Sequence, residues 1–355
     1  MSCWMTSVAD KRRGRIGSHP YGWLFFISLI LVFLSSCAES DPTQRLQGST
    51  MGTTWHVTYT ADAEAADLKT AIKAELESVN ESMSTYRADS EISRINSSEP
   101  GDPIILSDAF AEVLVAALDV GARSEGAYDV TVAPLVDLWG FGAGSAADWS
   151  LPSPEQVRAV LGRVGQSALT WHPGTGTLIR QESVSLDFSS IAKGYGVDRV
   201  ARVLKDAGVV NYLVEVGGEM RVSGTSPRGD DWRIAVEQPL AGQRGIAQAL
   251  AVTDIAIATS GDYRNYVEVD GTRYSHTLDP RTGYPVTHDL VSVTVLHERC
   301  MMADAWATAL IVAGPEEALR LASVNELAVY MMTRRGDSLE AQVSPAFNAR
   351  FGAVD

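Results

Sequence analysis

Residues 290–315 read LVSVTVLHERCMMADAWATALIVAGP. Leu290–Leu296 alternates as a strand, and Met301–Ala313 has the length and composition of an apolar helix. Gly314 stops that helix and Pro315 opens another. Working outward, the second half of the chain is rich in short strands: Tyr212–Val216, Trp232–Val236, Ile246–Val252 and a late one at Ala328–Thr333. Tyr266–Val269 and Thr272–Leu278 flank Asp270-Gly271, a dipeptide suited to a type I′ hairpin turn. The first half is more helical. After a strand at Thr54–Thr60, Asp67–Met83 carries Leu68, Ile72, Leu76, Val79 and Met83 on one helical face. Ser107–Ser124 repeats the pattern, and Ser190–Ala207 starts at serines and stops before Gly208. Gly140–Pro154 reads as a loop. Strands and helices mix without regular βαβ alternation, which places the chain in the α+β class as a single unit of one or two lobes.

The chain has 355 residues, 45% of them apolar, and a formal net charge of −15. That apolar content excludes a disordered chain. The acidity argues against nucleic acid as a partner, because binders of the phosphate backbone present basic patches. An anionic ligand would need a local remedy, such as a cation or backbone amides.

The N-terminus reads as an export leader. Lys11–Arg15 is basic, and Trp23–Leu34 is an apolar run too short for a permanent span. It ends in Leu34-Ser35-Ser36-Cys37, which resembles a bacterial lipobox and implies lipidation of Cys37 with cleavage before it. An uncleaved signal anchor is the alternative. Residues 1–36 carry a net charge of +3, so the chain from Cys37 onward stands at −18. Residues 37–50 then read as a polar tether, 51–345 as the folded domain and 346–355 as a C-terminal tail. Cys300 is left unpaired and is expected to be a buried structural thiol.

Several clusters at element ends have the residue types that chemistry needs. Asp304 and Thr308 stand i, i+4 on the apolar helix, so both face one way. They suit a hard cation, which takes oxygen ligands. They equally suit a helix-dipole aspartate with a threonine bonded back to its own helix. Asp187–Gly196 runs from strand into helix, with Lys193 in the first turn. A helix start offers free N–H groups to phosphate, although the spacing is not that of a P-loop. His276 lies near Asp279, Arg281 and several hydroxyls. Gly217-Gly218 allows either a close ligand approach or a simple tight turn.

Taken in order, the motifs MGTTW, MSTYRADSEISRIN, GAYDVTVAPLVDLWGFG, LDFSSIAKGYGVD, VEVGGE, IATSGDY, SHTLDPRTGYP and SVTV…MMADAWATAL resemble the ApbE family of FAD:protein FMN transferases, from Met51 to about Gly314. The resemblance implies an ApbE-like mixed sheet and helix architecture. It also implies Mg²⁺-dependent transfer of the FMN moiety of FAD to a Thr or Ser hydroxyl of a target flavoprotein, with release of AMP. By motif position, Met51, Tyr86, Ala127, Tyr128, Asp129, Asp187, Lys193 and His276 would contact FAD, and Thr259, Ser260, Gly261 and Asp262 would line the flavin pocket. Asp304 and Thr308 would hold the metal by side chain and Ser190 by its backbone carbonyl. Ser189-Ser190 stands where many members have Gly-Gly or Gly-Ala, a change that a carbonyl ligand tolerates. His276 and Asp304 are the candidate catalytic bases. The resemblance also implies export, with a lipid holding the enzyme at the periplasmic face of the inner membrane near membrane-associated electron-transfer acceptors; the outer membrane is the alternative. An FAD pyrophosphatase and a non-catalytic flavin-binding lipoprotein are the competing functions.

Overall fold

The computed structural model describes residues 43–61, 65–142, 149–239, 245–261, 266–269, 272–336 and 338–352. The leader, Cys37 and Asp262 lie outside them. The described residues form one unit.

An eight-stranded antiparallel sheet forms the frame. Its strands are β1 (Thr43–Thr50), β2 (Thr53–Thr60), β6 (Asn211–Val216), β7 (Glu219–Ser223), β10 (Ile255–Gly261), β15 (Leu290–His297), β16 (Ala328–Arg335) and β17 (Ser338–Val343), in that spatial order. Short strands β3 (Pro103–Ile105), β4 (Leu169–His172) and β5 (Thr177–Arg180) make a separate small sheet. The ribbons β8 (Trp232–Gln238) with β9 (Gly245–Val252), β11 (Tyr266–Val269) with β12 (Thr272–Ser275), and β13 (Leu278–Asp279) with β14 (Tyr284–Pro285) complete the strands.

The helices are α1 (Ala65–Met83), α2 (Glu91–Ser97), α3 (Asp108–Arg123), α4 (Ala133–Leu138), α5 (Pro154–Leu161), α6 (Ala192–Asp206), α7 (Cys300–Ala313), α8 (Pro315–Val324) and α9 (Pro345–Phe351). Helix α7 lies on β10 and β15, with α6, α3 and α8 packed around it. This explains its composition. Every residue from Cys300 to Val312 except Thr308 is buried, so α7 has no solvent face to make polar. The sheet is apolar on both sides. Leu290, Val293 and Val295 of β15 join the helical core, while Val291 and Leu296 pack under β8, β9 and α9.

Several boundaries differ from the sequence reading, among them the strand expected over Thr272–Leu278, which ends at Ser275. The second half of the 37–50 tether is strand β1, paired with β2 along its whole length and turned through Met51-Gly52, both at positive φ. It reads as polar because it is an edge strand with only Leu46 buried. The 346–355 tail begins as helix α9, which buries Phe347 against Tyr330. The helix expected from Ser190 starts at Ala192, and its N-cap, Ile191, makes no side-chain cap.

Candidate active site

A cavity of about 500 Å³ opens where the ends of α6 and α7 meet the C-terminal half of β10. Neighbouring strand-like segments bring its acids together. Asp187 N–H donates to Val130 O at 2.7 Å, and the Asn96 side chain brackets Leu186 by accepting its N–H and donating to its carbonyl. Residues 127–132 and 185–190 therefore run side by side, placing Ala127, Tyr128, Asp129, Asp187 and Ser190 on one wall. Tyr128 OH accepts from Ser190 Oγ at 3.1 Å, and burial pushes its phenol pKa far up, keeping it neutral.

The opposite wall comes from α6, α7 and β10. Gly194 donates its N–H to Asp304 Oδ2 at 2.9 Å, and Lys193 Nζ lies 3.5 Å from Asp304 Oδ1. Ser260 Oγ and Thr308 Oγ1 are 3.1 Å apart. Thr308 is the interior position of α7 that is not fully buried because it faces the cavity. Gly194 permits the close helix crossing, since a Cβ there would meet the carbonyl oxygen of Cys300 at 2.5 Å.

The cavity thus gathers nearly every residue singled out above: Tyr86, Ala127, Tyr128, Asp129, Asp187, Lys193, Thr259, Ser260, Gly261 and His276, with Ser190, Asp304 and Thr308. Met51 stands apart. It lies in the β1–β2 turn and packs against Gly196 of α6, off the cavity wall. Asp129 lines the wall, but its carboxylate accepts from Thr131 N and Oγ1 and from Gln166 N, so it also organises its own loop. Arg281 is engaged by Asp279 and does not line the cavity, whereas His276 does, edge-on to Phe141. Gly217 and Gly218, both at positive φ, make the β6–β7 turn, and Gly217 also lines the wall. Cys300 is fully buried, and burial pushes its thiol pKa well up, as a structural cysteine requires.

The sequence marks Gly217-Gly218-Glu219 as a cluster at an element end but assigns Glu219 no role. Glu219 is 4% exposed, lines the cavity and is ion-paired with Lys193. Burial pushes its pKa up to about 7 against the pull of Lys193. Burial likewise opposes the charge on Lys193, but Asp304 and Glu219 outweigh it and hold the ammonium above its ordinary value. The signal in the sequence was the VEVGGE motif, whose acid follows two turn glycines and so looks like a surface residue.

Among the described residues lining the cavity, four carboxylates (Asp129, Asp187, Glu219, Asp304) face one ammonium, Lys193. No group of three or more His, Cys, Asp or Glu converges as a metal cluster among the described residues. A cation here would rest on mixed oxygens: the Asp304 carboxylate, the Thr308 hydroxyl and the Ser190 carbonyl. That set fits Mg²⁺, which takes one or two carboxylates and completes its shell with waters and substrate phosphates. Val132, Val136, Phe141 and Leu278, which cluster together, add an apolar part to the lining suited to a flat ring system.

A sequence model described as ApbE family matches residues 51–331. The chain is 42% identical over 328 residues to an FAD:protein FMN transferase of Vibrio cholerae, covering 92% of this chain and 97% of the relative. Among solved structures it resembles the flavin transferase ApbE from Vibrio cholerae, with TM-score 0.81 and 42% identity, covering 87% of this chain and 99% of that one. It also resembles the apo form of the Pseudomonas stutzeri flavinyl transferase ApbE, with TM-score 0.81 and 38% identity, covering 89% and 98%.

Proposed function

The chain belongs to the ApbE family of flavin transferases, and on that premise we propose that it moves the FMN moiety of FAD onto a Thr or Ser hydroxyl of a target flavoprotein, with Mg²⁺, releasing AMP. One observation carries the metal requirement: the cavity sets four carboxylates against one ammonium, so an anionic pyrophosphate needs a cation to enter. Bound at Asp304, Thr308 and the Ser190 carbonyl, Mg²⁺ would neutralise the pyrophosphate and polarise the phosphoryl oxygens.

The chain's own groups divide the remaining work. Lys193 adds positive charge beside the phosphates. The apolar side formed with Phe141 and Val136 receives the flavin ring. The acceptor oxygen attacks the FMN phosphorus, the P–O bond to AMP breaks, and the hydroxyl proton must go to a base. In this reading Asp304 is committed to the cation, so His276, which lines the cavity, is assigned as the base. The leader and Cys37 complete the reading: an exported, lipid-anchored enzyme at the periplasmic face of the inner membrane.

The test is to incubate the full chain, in mild detergent, with FAD, Mg²⁺ and a candidate acceptor, and to weigh the acceptor. A mass gain equal to FMN that requires Mg²⁺ supports transfer. Free FMN and AMP with no labelled acceptor indicates a pyrophosphatase. FAD bound but unchanged indicates a binder.

A further inference from the structure

Lys193 has two carboxylates within reach, and nothing in the proposed chemistry uses the second. Its Nζ is ion-paired with Glu219 Oε1 and lies 3.5 Å from Asp304 Oδ1. The other oxygen of each acid meets a backbone amide: Thr259 N–H points to Glu219 Oε2 at 3.4 Å, and Gly194 N–H donates to Asp304 Oδ2 at 2.9 Å. Burying a second carboxylate beside the first is costly. Glu219 nevertheless sits 4% exposed at the first position of β7.

We infer that Glu219 is a positioning residue that acts through Lys193: by taking the closer share of an ammonium that both acids contact, it weakens the hold of Lys193 on Asp304 Oδ1 and lets a divalent cation compete for that oxygen. The inference rests on the reading of Asp304, Thr308 and Ser190 as cation ligands. The charges explain the effect. With Glu219 ionised, Lys193, Glu219 and Asp304 together carry one negative charge, which favours a cation. Without the Glu219 charge the group is neutral, and Lys193 has only Asp304 to pair with among the acids it contacts. An incoming cation must then displace the ammonium. Gly217 belongs to the same arrangement. A Cβ there would stand 3.2 Å from Lys193 Cδ and 2.8 Å from Thr53 Cγ2, displacing the lysine stem that reaches Glu219.

The test is Mn²⁺ binding to the FAD-free full chain, read by electron paramagnetic resonance without turnover. Glu219→Gln is expected to weaken binding about tenfold or more, in the range seen when groups that orient metal ligands are removed. The double variant Glu219→Gln/Lys193→Met restores one net negative charge and is expected to return to within about threefold of the parent. Parent-like binding by Glu219→Gln overturns the inference, as does a double variant as weak as Glu219→Gln. If Glu219→Gln does not fold, Lys193→Met alone decides: tighter Mn²⁺ binding supports the inference, and unchanged or weaker binding overturns it. If the parent chain itself binds no Mn²⁺, the cation reading falls and this inference with it. Parent binding with an unaffected Glu219→Gln removes this inference alone.

Discussion

The backbone N–H of Gly194 donates to Oδ2 of Asp304 across 2.9 Å, tying the first turn of α6 to the second turn of α7. First-turn amides have no partner within their own helix, so Asp304 supplies one while its other oxygen faces Lys193. The bond exists because the helices cross where a glycine leaves room. Gly194→Ala would put a Cβ 2.5 Å from the Cys300 carbonyl oxygen and 2.7 Å from Met301 Cα, both backbone atoms that cannot swing aside. We expect a loss of about 1–3 kcal/mol in urea unfolding together with reduced transfer. Parent-like stability would refute the close-crossing account.

Asp304→Ala should abolish transfer, by about a hundredfold or more, as for loss of a main electrostatic stabiliser. It should still give a cooperative thermal transition, since Asp304 is a single charged side chain in an otherwise apolar helix. Full activity of this variant in Mg²⁺ would remove the metal assignment.

His276→Gln keeps a polar side chain but removes the imidazole assigned as base. A fall in kcat of about 10²–10⁴ with little change in the KM for FAD is expected of a lost general base. A rise in KM with kcat intact would make His276 a binding residue only.

His297 provides a pH-dependent readout outside the cavity. Burial holds its imidazole below the ordinary range, and its Nδ1 accepts the Arg299 N–H at 2.9 Å, which requires that nitrogen unprotonated. Glu298, Arg299 and Asp198 are the charged groups around it. Folding therefore disfavours the imidazolium. The contribution is fully present above about pH 6.5, the ordinary imidazole value, and is lost as pH falls through the lowered folded value. His297→Gln should show a smaller drop in urea midpoint between pH 7.5 and pH 5 than the parent. An equal drop would place the acid sensitivity elsewhere.

Cys37→Ser should release the protein from the membrane fraction on cell fractionation, because stable anchoring would then lack its lipid. Continued anchoring would favour an uncleaved span.

The elements with a clear local period were legible in the chain. Met301–Ala313 was expected and Cys300–Ala313 is found; Asp67–Met83 was expected and Ala65–Met83 is found. Elements whose burial is decided elsewhere were not. Strand β1 reads as a tether because an edge strand with one buried side chain has no periodicity to show. The serines before α6 look like caps, yet Ser189 N–H instead donates to Asp187 Oδ1 and Ser190 Oγ to Tyr128 OH.

Composition and periodicity were enough to place this chain in the α+β class, and motif order carried its family resemblance, which in turn implied half of the residues that line the cavity. Periodicity reveals the elements because side-chain spacing within one element follows from the local helix or strand repeat. Tertiary structure decided which distant residues share a charge. It set Lys193 between Glu219 and Asp304, 26 and 111 residues further along the chain. It also took Met51 off the cavity wall and left Thr308 as the open position of a buried helix. Distances between elements arise from how their surfaces pack, and no local pattern in the chain encodes them.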